Sequence, residues 1–139
     1  MADFTGAELL ARRVELEDAA ALLLGRMQFE FSRLDMSLGL CAVWVEDGRR
    51  LEELNPQVVA MTFHKRLEFV EKAVHALSPA CSEAKEAYQA WVCRANAARL
   101  TRNSLVHGRW GVEPMTNRVV NVVGLPTSSE QREVKYTIP

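Results

Sequence analysis

No stretch of the 139 residues approaches the roughly eighteen uninterrupted apolar positions of a membrane-spanning helix, since the richest run, residues 19–24, is bracketed by Asp18 and Arg26. A membrane role is not expected. Cysteine is scarce: Cys41, Cys81 and Cys93 are odd in number and widely spaced, which argues against a disulfide framework. The opening Met-Ala-Asp-Phe-Thr has neither a basic n-region nor an apolar h-region, so a cytoplasmic protein with reduced thiols is expected. There is no Cys-x-x-Cys, no His-Glu-x-x-His and no acidic loop, so no structural zinc or calcium site is expected. Neither a Gly-rich phosphate loop nor Gly-x-Ser-x-Gly occurs, which leaves nucleotide hydrolysis and serine-esterase chemistry without support. No cofactor is called for, and no internal repeat is visible.

What is there is the composition of an ordinary globular domain, 48% hydrophobic and 25% charged. The length fits one domain over residues 1–139, a helical bundle over about 6–107 followed by a β-prone tail over about 108–139. The net charge of −1 conceals an asymmetry along the chain. Residues 1–53 carry eleven acidic side chains (Asp3, Glu8, Glu15, Glu17, Asp18, Glu30, Asp35, Glu46, Asp47, Glu52, Glu53) against six arginines. Residues 94–118 carry Arg94, Arg99, Arg102, Arg109 and Arg118 against Glu113 alone. Arginine's planar fork pairs bidentately with phosphate or carboxylate, so this window could hold an anion, with Arg99 and Arg109 as substrate-binding candidates. The same arginines could equally be solvated helix surface or partners of the acidic first half.

Thr5-Gly-Ala-Glu8 has the spacing of a capping box, predicting a helix start near Gly6. Leu24, Met27, Phe31, Leu34, Leu38, Cys41 and Val45 then recur at steps of three and four, a heptad-like seam that predicts one long helix ending near Asp47-Gly48. Gly25 and Gly39 are possible bends. Residues 52–56 read as a connection. Phe63, Leu67, Val70, Val74 and Leu77 line a second helix closed by Ser78-Pro79, and a third runs from about Ser82 to Gly108. Residues 110–113, 118–123 and 134–138 are short β-prone runs separated by turn residues, a hairpin or meander.

On the third helix Tyr88, Trp91, Ala95 and Ala98 mark an apolar face, and the same rhythm lands on Arg102. Burying that permanent cation costs several kcal/mol unless an anion pairs with it. His107 follows five residues later, about 140° round an ideal helix, so the two side chains converge only if the helix loosens or both lean inward. Asn103 completes a cluster of a cation, an amide and a titratable imidazole. Asp35 on the first helix reads as a supporting partner for an arginine rather than as a base. His64 and His75 read as surface or boundary residues, and Trp44, Trp91 and Trp110 as packing residues that could alternatively stack bases.

The segment Arg102-Asn103-x3-His107-Gly108 resembles the signature of the HEPN superfamily, an arginine and a histidine across a short spacer with a polar residue after the arginine. The resemblance extends to the helix layout and to Phe31-x-x-Leu34-Asp35-x-x-Leu38. It covers roughly residues 20–108 and leaves the β-prone tail outside. It implies a mainly α, up-and-down helical bundle with a long first helix. It further implies a metal-independent endoribonuclease of the toxin or phage-defence type that binds RNA as a homodimer, with its site at the dimer interface. A nucleotidyltransferase-like antitoxin is the implied restraining partner. In that reading Arg102 holds phosphate oxygens, His107 transfers a proton and Asn103 orients substrate or His107. The alternative is a non-catalytic HEPN-like interaction or nucleotide-binding module.

Overall fold

A computed structural model describes residues 4–77 and 82–139. Among them the chain is mainly helical, with a small antiparallel sheet at its end. The order is α1 (Gly6–Val43), a 3-10 turn (Val45–Gly48), α2 (Leu51–Ala60), α3 (Phe63–Leu77), α4 (Glu83–His107), β1 (Arg109–Glu113), β2 (Arg118–Val123) and β3 (Arg132–Thr137). The expected Ser78-Pro79 stop and Cys81 lie outside the described residues. Two compact units are formed, one by the residues up to Gln28 together with Arg102–Pro139, the other by Phe29–Thr101.

The capping box closes as its spacing predicts. The Thr5 amide donates to Glu8 Oε2 at 2.7 Å, and the Glu8 amide donates to Thr5 Oγ1 at 3.3 Å. The Thr5 amide and the Thr5 hydroxyl, which donates to Glu8 Oε2 at 2.8 Å, hold the Glu8 carboxyl below the usual carboxylate range. Neither Gly25 nor Gly39 interrupts α1, which runs for 38 residues. Of the predicted seam Leu38 is buried and Leu24, Met27, Phe31 and Leu34 are half-buried, so it faces inward, whereas Cys41 is exposed.

The helix ends earlier than Asp47. Val43 is its last residue, and Glu46, Asp47 and Gly48 all take positive φ, which unwinds the chain into the 3-10 turn.

Residues 52–56 are helix rather than connection. Glu52 and Glu53 sit in the first turn of α2, where the helix dipole favours carboxylates. Pro56 lies far enough in to forfeit one backbone bond, but Leu54 and Val58 at spacing four are both buried and outweigh that loss. Together with Leu38, Ala42, Val43, Leu67, Val70 and Ala95 they form the core of the second unit. Arg66 ties this unit together: Nη1 donates to Asp35 Oδ1 at 2.9 Å and Nε to the Val58 carbonyl at 3.1 Å. Trp91 packs on this core beside Tyr88, with ring centroids 5.6 Å apart. Trp44 is exposed instead.

In the first unit the three strands pair in the order β1-β2-β3, a meander. Asn117, the last residue of the turn between β1 and β2, and Gly124, which follows the last residue of β2, both take positive φ. The register places Trp110 opposite Asn121 and Val119 opposite Tyr136. β3 begins two residues before the expected Val134, at Arg132.

Candidate nucleic-acid site at the end of α4

α4 stays helical through His107, and the Gly108 amide closes the last turn onto the Ser104 carbonyl at 3.1 Å. The helix therefore does not loosen before Gly108. Arg102 is half-buried and His107 is exposed. Arg102 Nε donates to Gln28 Oε1 on α1 at 3.2 Å, and Nη1 donates to Asn103 Oδ1 at 3.1 Å. The fork is thus anchored at its stem and at one tip, which fixes the guanidinium plane. Asn103 orients Arg102 rather than His107.

The other predicted site residues have partners of their own. Asp35 is the acceptor of Arg66, as described above. Arg99 donates to Asn96 Oδ1 at 3.0 Å, along its own helix. Arg109, the first residue of β1, donates to the Gly124 carbonyl at 2.7 Å and so braces the loop after β2. His64 and His75 are exposed, and His64 lies 3.5 Å from Glu68. Among the described residues no three His, Cys, Asp or Glu side chains gather as a cation would need.

Two residues of this region were not anticipated. Gln28 is the Arg102 anchor just described. Asn121 stands in the middle of β2 and is 2% exposed. Its carboxamide lies flat against Gly108: a Cβ added to Gly108 would stand 2.2 Å from Asn121 Nδ2. Any side chain at Gly108 would have to displace this amide. Among the described residues Asn121 Nδ2 has no hydrogen-bond partner, which costs about 1–3 kcal/mol. The signal was in the sequence, since Asn121 interrupts the apolar run Val119-Val120-Asn121-Val122-Val123. Trp110 secures the same joint from the other side, its indole Nε1 donating to the Leu105 carbonyl at 2.9 Å.

Beside the joint lies an apolar cleft of about 350 Å³ lined by Leu23, Met27, Leu105, Trp110, Val119 and Tyr136, all within the first unit. The Trp110 and Tyr136 rings stand 5.9 Å apart at 38°. At the far end of the sheet Lys135 and Thr116 donate to Glu113, which holds that carboxyl below its ordinary range.

Compared with protein-family models, with curated proteins and with solved structures, the chain matches none. Among the described residues no helix is long and apolar enough to cross a membrane.

Proposed function

We propose that the chain is a HEPN-like, RNA-binding protein that acts as a homodimer and cleaves RNA without a metal. The observation that carries this reading is the Arg102 fork, oriented by Gln28 and Asn103 five residues before an exposed His107 at the helix end. A fork held in one plane suits the two equatorial oxygens of a phosphodiester. The 2′-oxygen attacks phosphorus and loses its proton to a base, while the P–O5′ bond breaks and the 5′-oxygen takes a proton from an acid. The products carry a 2′,3′-cyclic phosphate and a 5′-hydroxyl. One imidazole cannot be both base and acid at the same instant, so His107 fills one role and the partner's His107 the other. Arg109 and Arg99 add positive charge for the flanking phosphates. A toxin or phage-defence role restrained by a nucleotidyltransferase-like antitoxin follows from the resemblance, and a cytoplasmic setting from the few, widely spaced cysteines.

One observation favours the second reading, a non-catalytic interaction or nucleotide-binding module. Arg102 is engaged by its own chain, and the intact helix keeps His107 about 140° from it. Incubation with single-stranded RNA and DNA in EDTA separates the two. Cleaved RNA with cyclic phosphate ends beside intact DNA supports the nuclease, and intact RNA across about pH 6 to 8, where a histidine titrates, supports the module.

A further inference from the structure

α1 buries one side, marked by Leu16, Leu38 and Ala42. Opposite that side, at 100° per residue, stand Leu22, Gly25, Phe29, Ser32 and Met36, all exposed. Leu22 is 55% exposed, Phe29 70% and Met36 61%. Their steps of three, four, three and four are those of a coiled-coil seam. A helix apolar on two opposite sides has a second surface to cover.

The pattern along this stripe says what covers it. Large side chains (Leu22, Phe29, Met36) alternate with small ones (Gly25, Ser32), and a Cβ added to Gly25 would meet nothing within 4 Å. Two copies packed antiparallel, with Phe29 against the partner's Ser32, also bring Met36 against the partner's Gly25. Phe29 and Met36 then each have a hole. Parallel packing would stack phenylalanine on phenylalanine and leave hollow layers at Gly25 and Ser32. Arg33, on one flank, already has Glu30 as its ion-pair partner, which lessens repulsion across the pair.

We infer that this stripe is a self-association surface, and that its occupant is α1 of a second copy running antiparallel. Gln28 borders the stripe on the other flank and holds Arg102. In an antiparallel pair the two copies of such a flanking residue face the same groove. Here they are five residues, about 7.5 Å, apart along the axis. Both Arg102 forks would then open to one side of the helix pair. This last consequence rests on the proposed function, whereas the association itself does not.

Sedimentation equilibrium from roughly 1 to 100 μM tests the association, with circular dichroism confirming that each variant is folded. The wild type should dimerise, and Phe29→Asp should be monomeric throughout. Phe29→Ser and Ser32→Phe should each weaken the dimer about tenfold or more, whereas Phe29→Ser/Ser32→Phe, which exchanges knob and hole, should restore it. Orientation is read with a nitroxide at Asp18→Cys, on a background in which the three native cysteines are serines. An antiparallel pair separates the labels by about 38 Å and a parallel pair by about 15 Å or less. A monomeric wild type, a dimer indifferent to Phe29→Asp, or the short distance overturns the inference. A dimer of the expected kind that leaves RNA intact upholds it and removes only the nuclease.

Discussion

The two units of this chain solve the same folding problem to different standards. The unit of Phe29–Thr101 has a contiguous core in which Ala42, Leu54 and Leu67 are sealed from water, and the half-buried Arg66 meets a carboxylate and a carbonyl. The unit that carries Arg102 and His107 buries Leu16, Val119 and Val120 beside a polar Asn121 whose donor is unsatisfied, and leaves an apolar cleft open. Stability is concentrated where no site residue other than Asp35 and Arg99 stands. Among the described residues each unit leaves one buried polar atom without a partner, Tyr88 Oη in the second and Asn121 Nδ2, against Gly108, in the first.

The largest effect that would sharpen this contrast is expected from Leu54→Ala, which empties a fully buried site in the second unit. It should cost about 2–5 kcal/mol in urea unfolding, and a loss below 1 kcal/mol would break the assignment of the core. Next comes Gly108→Ala. The new methyl must displace the Asn121 amide, so a loss of about 1–3 kcal/mol is expected, together with faster hydrogen exchange at the amides of residues 108–110. Wild-type exchange at those amides would show that the joint yields freely.

The smallest effect expected is a pH dependence within the second unit. Burial, with the charges of Glu71 and Cys41 adding to it, pushes the Tyr88 hydroxyl up to about 12. An unfolded tyrosine ionises near pH 10, so between about pH 10 and 12 the unfolded chain has released a proton that the folded chain retains. Stability contributed by this group is complete below about pH 10 and is lost as pH rises toward 12. Tyr88→Phe removes a hydroxyl that has no hydrogen-bond partner among the described residues. It should therefore leave stability at pH 8 within about 1 kcal/mol of wild type and flatten the decline at alkaline pH. An equal decline in both proteins would place the titrating group elsewhere.

The sequence made legible those features whose cause is local. The Thr5/Glu8 cap, the inward seam of α1, the apolar line of α3 and the three strand runs each rest on spacing alone. What was missed depends on the fold. Helix α2 forms against the preference of Pro56 because Leu54 and Val58 are buried, and burial is decided by residues distant in sequence. The early end of α1 reflects a reversal at Glu46 and Asp47, where non-glycine residues take a conformation that local preference disfavours. In the site, Arg102, Asn103 and His107 stood out by chemistry. Their anchor Gln28 did not, because a glutamine beside an apolar seam looks like any solvated side chain. Asp35 was read as an arginine's partner, but only tertiary structure shows that the arginine is Arg66.

The central claim is that the Arg102/His107 end of α4 transfers a proton during RNA cleavage. It is tested most directly by the single-turnover rate of wild type and His107→Ala on one RNA in EDTA, with both proteins shown to be folded. A loss of roughly 10²-fold or more is expected, the share that a positioned proton-transfer group supplies. Equal rates would contradict it and assign the cleavage to another site or another protein.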